Sequence, residues 1–247
     1  MKLWSKEYYK NLLSDNGKYC YEELLKNIYN HNMNVSFQGK VGLKSFKNEI
    51  ESVVDAIRKD HPEIFWINLL KMEIRISLFS TVVNLESFQT LRERNDMLKK
   101  CEKWRDWVIN RVPSRFNEKE TIWLLYDYLA RQMNYGIISE QHSQTIISAF
   151  STGEHVSVCE GISKSFKYLC DSLGVPCIVV FGEAKNDGNG GHAWNIVECN
   201  NELWHVDVTR EIYTAHTFGR AERNKFLYKD YEMKEYVWNQ GEVPKCR

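Results

Sequence analysis

Between residues 159 and 209 the apolar residues change their spacing, and that change limits the possible folds more than any bulk property does. Ile162, Phe166, Leu169, Cys170 and Leu173 fall on one face of a helix that starts near Cys159 and stops at Gly174-Val175-Pro176. Pro176 to Ala184 is then a short run rich in Ile and Val, which reads as a strand. The polar loop from Lys185 to Gly191 leads into a second strand, His192 to Glu198. Asn200-Asn201 is a tight-turn signal, and Leu203 to Thr209 is the returning strand. The expectation is one helix packed on an antiparallel sheet.

Register is what gives this stretch chemical meaning. With Asn200 and Asn201 at the centre of the hairpin, His192 lies opposite Thr209 and Trp194 opposite Asp207. Side chains alternate across a strand, so His192 and Trp194 share a face with His205, Asp207 and Thr209. Asp207 is then diagonal to His192, roughly 7–8 Å away between backbones, within reach of two side chains. A slip of one residue would send Asp207 to the opposite face.

A cysteine, a histidine and an aspartate in this order are the parts of a thiol nucleophile, its base and the base's orienter. A thiol is a poor nucleophile until it is deprotonated; an imidazole supplies the positive partner, and a carboxylate fixes the imidazole's tautomer. Cys159 in the first turn of its helix gains the partial positive charge of the helix N-terminus. The first N–H groups there lack helical partners and can receive an oxyanion. Gly161 in that turn is read as letting a substrate approach the backbone.

Three segments together, Cys159-Glu160-Gly161, His192-Ala193-Trp194 and Asp207-Val208-Thr209, resemble the hallmarks of the transglutaminase-like superfamily, relatives of papain-type cysteine proteases. The resemblance runs from about Glu120 to Glu211. Asp60-His61-Pro62-Glu63-Ile64-Phe65-Trp66 is similar, less specifically, to bacterial members. One departure is Arg210, where members often carry tryptophan after the Asp-x-Thr element. That changes the pocket wall or the substrate without removing the triad.

The rest of the chain gives an N-terminal region. Residues 6–30 and 45–60 read as helices, with a polar loop around Asn34 to Gly42 between them. Met72, Ile74, Ile76 and Leu78 alternate with polar residues as in a half-buried strand. Helices are expected from about Ser87 to Val112 and from about Glu118 to Met133. The domain reading is 1–115, mainly helical with a short strand, and 116–247, the catalytic core.

Composition narrows the partners. Lys+Arg and Asp+Glu both number 33 in 247 residues, so nothing in net charge draws the chain to nucleic acid or an anionic membrane. No apolar stretch approaches the ~20 residues needed to span a bilayer, and the first residues, Met1 to Glu7, have no signal core. Seven widely spaced cysteines without Cys-x-x-Cys pairs read as reduced thiols, so a cytoplasmic location is expected. No metal or cofactor is called for.

Each singled-out residue also has a plainer reading. Cysteines at helix starts and histidines on strands are commonly structural, but the three motifs in order favour Cys159, His192 and Asp207 as catalytic. His155 and His205 read as exposed or packing side chains. Trp194 either shields the Cys–His pair or is simply core, and Tyr135 either lines the cleft or caps a helix. Glycines 188, 190 and 191 precede a strand instead of a helix, so a phosphate loop fails and a flexible lip beside His192 remains.

The fold expected is therefore α+β: a papain/transglutaminase-like core, with the cysteine helix packed on an antiparallel sheet, behind a mainly helical N-terminal region. The expected chemistry is acyl transfer through a Cys159 thioester on a peptide, acyl or carrier-bound thioester substrate, with Gly161, Trp194 and Tyr135 binding it. Water as acceptor makes an amide hydrolase; an amine makes an amide-forming acyltransferase of a biosynthetic pathway. The third reading is a non-catalytic peptide-binding module that keeps the fold.

Overall fold

The computed structural model describes residues 6–38, 43–77, 80–150, 153–185 and 190–247. Most of the loop 185–191, the end of the loop at 34–42, Leu78 and all of the N-terminal start except Lys6 and Glu7 lie outside the described residues. The chain divides into two compact units, residues 7–96 and residues 97–247 joined by the first six.

In the smaller unit, helices α1 (Asp15–Tyr29) and α2 (Leu43–Asp60) accompany a three-stranded sheet. Its strands are β1 (Asn34–Gln38), β2 (Ile67–Ile76) and β3 (Ser80–Ser87), in the antiparallel order β1-β3-β2. Tyr21, Leu24, Leu25 and Ile28 are the buried stripe of α1, as their spacing predicts. Ser14 caps α1 by accepting from the Gly17 N–H. Asp60 ends α2 with its carboxylate buried, accepting from the Tyr9 and Lys10 N–H groups and the Tyr21 hydroxyl.

The region holds more helix than strand, but its strand part is a three-stranded sheet and not one short strand. β1 lies in the segment read as loop, and β3 lies in the stretch left unassigned before the next helix. In β3, Thr81, Val83 and Leu85 are buried on alternate positions, which is strand periodicity. The following helix, α3, is shorter than expected at Leu91–Ile109, and the unit boundary falls inside it. The C-terminal part of α3 packs with the larger unit: Trp104 meets His155, Trp107 meets Tyr128, and Arg105 donates to the Tyr168 hydroxyl.

The larger unit continues with α4 (Glu118–Gln132), which opens on a capping box between Asn117 and Glu120. Short pieces follow: β4 (Asn134–Tyr135), α5 (Glu140–Ser143), α6 (Ile147–Phe150) and β5 (Val156–Ser157), with β4 and β5 paired in parallel. Then come α7 (Cys159–Ser172), β6 (Cys177–Ala184), β7 (Gly191–Cys199), β8 (Glu202–Val206), α8 (Ile212–Phe218) and β9 (Tyr236–Trp238). The four-stranded antiparallel sheet has the order β8-β7-β6-β9, and α7 packs on β6 and β7. The fold class is thus α+β, as expected.

The hairpin has the predicted register. Asn195 pairs with Val206, Ile196 with His205 and Val197 with Trp204, around a turn in which Asn200 and Asn201 have φ of 54° and 62°. Left-handed backbone at both central positions is the geometry of a type I′ turn, which asparagine tolerates and whose twist suits a hairpin. β8 stops at Val206, so Asp207 stands just past the strand and not within it.

Candidate active site

Cys159 is the first residue of α7, and the segment before it is held firmly. Ser143 closes α5; its carbonyl accepts from the Val158 N–H at 3.0 Å and the Ser157 hydroxyl at 2.8 Å. Ser148 in turn donates to Ser157 at 2.9 Å. Gly161 sits on this cluster: a Cβ there would overlap the Ser157 hydroxyl and the Ser143 carbonyl. This corrects the substrate reading of Gly161, because the backbone that approaches it is the protein's own. No side chain caps the α7 start, whose N-cap is Val158. In the first turn, buried Glu160 pairs with Lys164 at 2.7 Å, which compensates the acid beside the thiol.

Cys159 is half-buried, whereas the other six cysteines are buried. Burial pushes the thiols of Cys20, Cys101, Cys170, Cys199 and Cys246 up, with Cys20 at about 11 and Cys101 at about 12. Those five are poor nucleophiles near neutral pH.

His192 begins the described face of β7 that carries the chemistry. Its Nε2 lies 2.8 Å from Asp207 Oδ2, both side chains being buried, and the Cys159 thiol is near enough to act on its charge. With Nε2 on the carboxylate, Nδ1 is the nitrogen turned to the sulfur. Burial works to lower the His192 pKa, but the bonds and charges of Asp207 and Cys159 outweigh it and raise it to about 10. Asp207 Oδ1 accepts from the Thr209 N–H at 3.0 Å, which fixes the carboxylate as an Asx-type turn. The structure therefore brings Cys159, His192 and Asp207 together, in the side-chain order that the hairpin register implied.

Asn195 couples helix to sheet. Its buried amide donates to the carbonyls of Ser163 on α7, at 3.0 Å, and Ile178 on β6, at 3.2 Å. Cys159 and His192 are placed relative to each other through this tie.

Trp194 is 1% exposed and lies nearly parallel to the His192 ring, 21° apart with centroids at 5.9 Å. It is core and shield at once, and offers no open surface to a substrate, which corrects its substrate-binding reading. Gly182 on β6 makes room for it; a Cβ there would overlap the indole and the Val237 carbonyl. Tyr135 is 56% exposed on β4, beside Ser157 and so two residues from Cys159 in the paired strand. That position is on the rim of the cysteine helix's start. His155 packs against Trp104, with its backbone at φ 49°. His205 is fully buried, the packing side of its reading.

Tyr236 was not foreseen. Its hydroxyl donates to Asp207 Oδ2 at 2.6 Å, the oxygen that also faces His192, and its ring meets His192 edge-on at 5.6 Å. The signal available was the run Tyr236-Val237-Trp238, three strand-favouring residues. Nothing local in that run says where β9 docks. Arg210 lies over the rings of Tyr228, at 5.5 Å, and Tyr236, at 5.7 Å.

No helix among the described residues is long and apolar enough to cross a membrane. The sequence model of the transglutaminase-like superfamily matches residues 110–208. No curated protein matches the chain. Among solved structures, a Cytophaga hutchinsonii protein provisionally named a cysteine protease is similar at 15% identity and a TM-score of 0.37, over 57% of this chain and 62% of its own. A second, described as a TGase, is similar at 13% identity and a TM-score of 0.38, over 71% of this chain and 50% of its own. This chain thus spans less than two thirds of the length of either. Residues 110–208, which hold Cys159, His192 and Asp207, are thus the part of the chain that is similar to the transglutaminase-like superfamily.

Proposed function

We propose that the chain is a cysteine-dependent acyl-transfer enzyme working through a thioester on Cys159. The observation that carries this reading is the His192 imidazole, held by Asp207 through Nε2 beside the Cys159 thiol, with Nδ1 left to face the sulfur. A raised His192 keeps an imidazolium beside the sulfur that must become an anion.

In the first half-reaction the sulfur attacks the acyl carbon, forming the C–S bond. N–H groups of the first turn of α7, which have no partner within the helix, receive the oxyanion. The bond to the leaving group then breaks, and His192 gives it a proton. In the second half His192, now neutral, takes a proton from the incoming acceptor, which attacks the thioester and releases the Cys159 thiolate. Asp207 orients the ring throughout. Water as acceptor makes the enzyme a hydrolase; an amine makes it an amide-forming transferase. Tyr135 on the rim is the residue we assign to substrate contact.

Intact-mass spectrometry with an activated ester or thioester tests the reading. The wild type should gain one acyl mass that Cys159→Ala lacks, at unchanged circular dichroism. Added amine that discharges the adduct faster than water and yields an amide identifies a transferase; hydrolysis indifferent to amines identifies a hydrolase. Absence of both adduct and turnover with every donor refutes acyl transfer and revives the binding module.

A further inference from the structure

Behind His192 lies a second hydrogen-bonded chain that the acyl-transfer steps do not use. Trp194 Nε1–H donates to His205 Nδ1 at 2.9 Å, and His205 Nε2 lies 2.9 Å from Asp230 Oδ1. An indole nitrogen can only donate, so His205 Nδ1 must be without a proton. The ring's proton is then on Nε2 and donated to Asp230. His205 is fully buried, and burial favours its neutral form, lowering its pKa against the opposing pull of Asp230. A neutral ring is what the indole needs as acceptor.

The outer end of this chain is anchored as well. Asp230 Oδ1 accepts from the Cys246 N–H at 3.1 Å, and the Asp230 N–H donates to the Cys246 carbonyl at 2.9 Å. Around the ring, Trp238 lies 5.0 Å away and the His205 backbone exchanges hydrogen bonds with Tyr228 in both directions. His205, Asp230 and Cys246 also bring one potential metal ligand atom each within 4.8 Å of one another. With one ring nitrogen accepting and the other donating, His205 has no lone pair left for an ion, so a hydrogen-bond relay is the better account of the cluster.

We propose that His205 and Asp230 are positioning residues: they fix the rotation of the Trp194 indole, which lies flat behind the His192 imidazole and holds that ring toward Cys159. This rests on the acyl-transfer reading of Cys159 and His192. The indole without its acceptor has a buried, unsatisfied N–H and loses the bond that sets its orientation. An imidazole without its backing plane no longer keeps Nδ1 on the sulfur. The relay acts through Trp194 and touches no substrate.

The test uses the full chain and needs no natural substrate. The rate of Cys159 alkylation by iodoacetamide at neutral pH is measured per folded molecule, together with the ¹⁵N–¹H indole resonance of Trp194, assigned by its loss in Trp194→Phe. His205→Leu should slow alkylation roughly ten- to a hundredfold, the range seen when supporting partners of a site are removed, and should shift the Trp194 indole resonance upfield. His205→Gln, whose amide oxygen can accept from the indole, should restore most of the rate and the resonance. A purely structural role would lower the thermal midpoint in both variants while leaving the rate per folded molecule unchanged, and that result overturns the proposal. Should His205→Leu fail to fold, Asp230→Ala, at the half-exposed end, is read by the same two measurements, with the same changes expected and the same unchanged rate overturning the proposal. If wild-type Cys159 reacts no faster than a simple thiol, the acyl-transfer reading falls; an indole resonance unmoved by His205→Leu would separately refute the relay.

Discussion

Replacing Asp207 with asparagine tests the centre of the site through a charge whose size the structure sets. His192 has its pKa raised to about 10, against an ordinary value near 6.5, and both it and Asp207 are buried. A group whose folded pKa lies above its unfolded one stabilises the fold fully below the unfolded value. That stability is lost as pH rises from about 6.5 through about 10. A difference of three to four units caps the linked stabilisation at about 5 kcal/mol. Losing one partner of a buried pair costs about 3–5 kcal/mol when the other stays charged. In Asp207→Asn, burial lowers the His192 pKa without the carboxylate to oppose it, so the ring escapes part of that cost by shedding its proton. The expected loss near pH 6 is therefore about 2–4 kcal/mol, read as a lower urea midpoint. Near pH 10 wild-type His192 is itself about half neutral and most of the linked stabilisation is gone, so the two proteins should nearly converge. Iodoacetamide reaction of Cys159 at pH 6 should slow in the same variant, since no imidazolium then faces the sulfur. A destabilisation of equal size at pH 6 and pH 10 would refute a charged His192–Asp207 pair.

Iodoacetamide should label Cys159 before any other cysteine, because Cys20, Cys101, Cys170, Cys177, Cys199 and Cys246 are all buried; peptide mapping that finds Cys170 or Cys177 first would contradict the site. Asn195→Leu should cost about 2–4 kcal/mol, by stranding the Ser163 and Ile178 carbonyls it serves. It should also slow Cys159 alkylation, since α7 loses its tie to β7; an unchanged rate in the folded variant would show the tie to be structural only. Gly182→Ala should destabilise by about 1–3 kcal/mol, because its methyl overlaps Trp194 and the Val237 carbonyl. Thermal unfolding checks this, and a neutral result would mean that β9 moves aside freely.

How much of this was legible in the sequence depends on the range of the interaction. The α7 start, the β7–β8 hairpin and the nearness of Asp207 to His192 follow from local rules: helix periodicity, alternation, and a turn whose two asparagines set the register. The strand β3 also carried a signal, since Thr81, Val82 and Val83 are β-branched, but short half-buried strands are easily read as connection. Gly161 illustrates an opposite error. A glycine beside a nucleophile suggests substrate approach, yet the approaching groups are Ser143 and Ser157, which the sequence does not place there.

The sequence by itself determined the parts and their local geometry: a thiol at a helix start, an imidazole near a strand start, and a carboxylate two positions off in the returning strand. Only the tertiary structure decided what surrounds them. Tyr236 reaches Asp207 across 29 residues of chain, and Asp230 reaches His205 across 25. Asn195 reaches Ser163 across 32. Turn and strand rules carry no information over such separations, because those contacts exist only where β9, the C-terminal segment and α7 pack on the sheet.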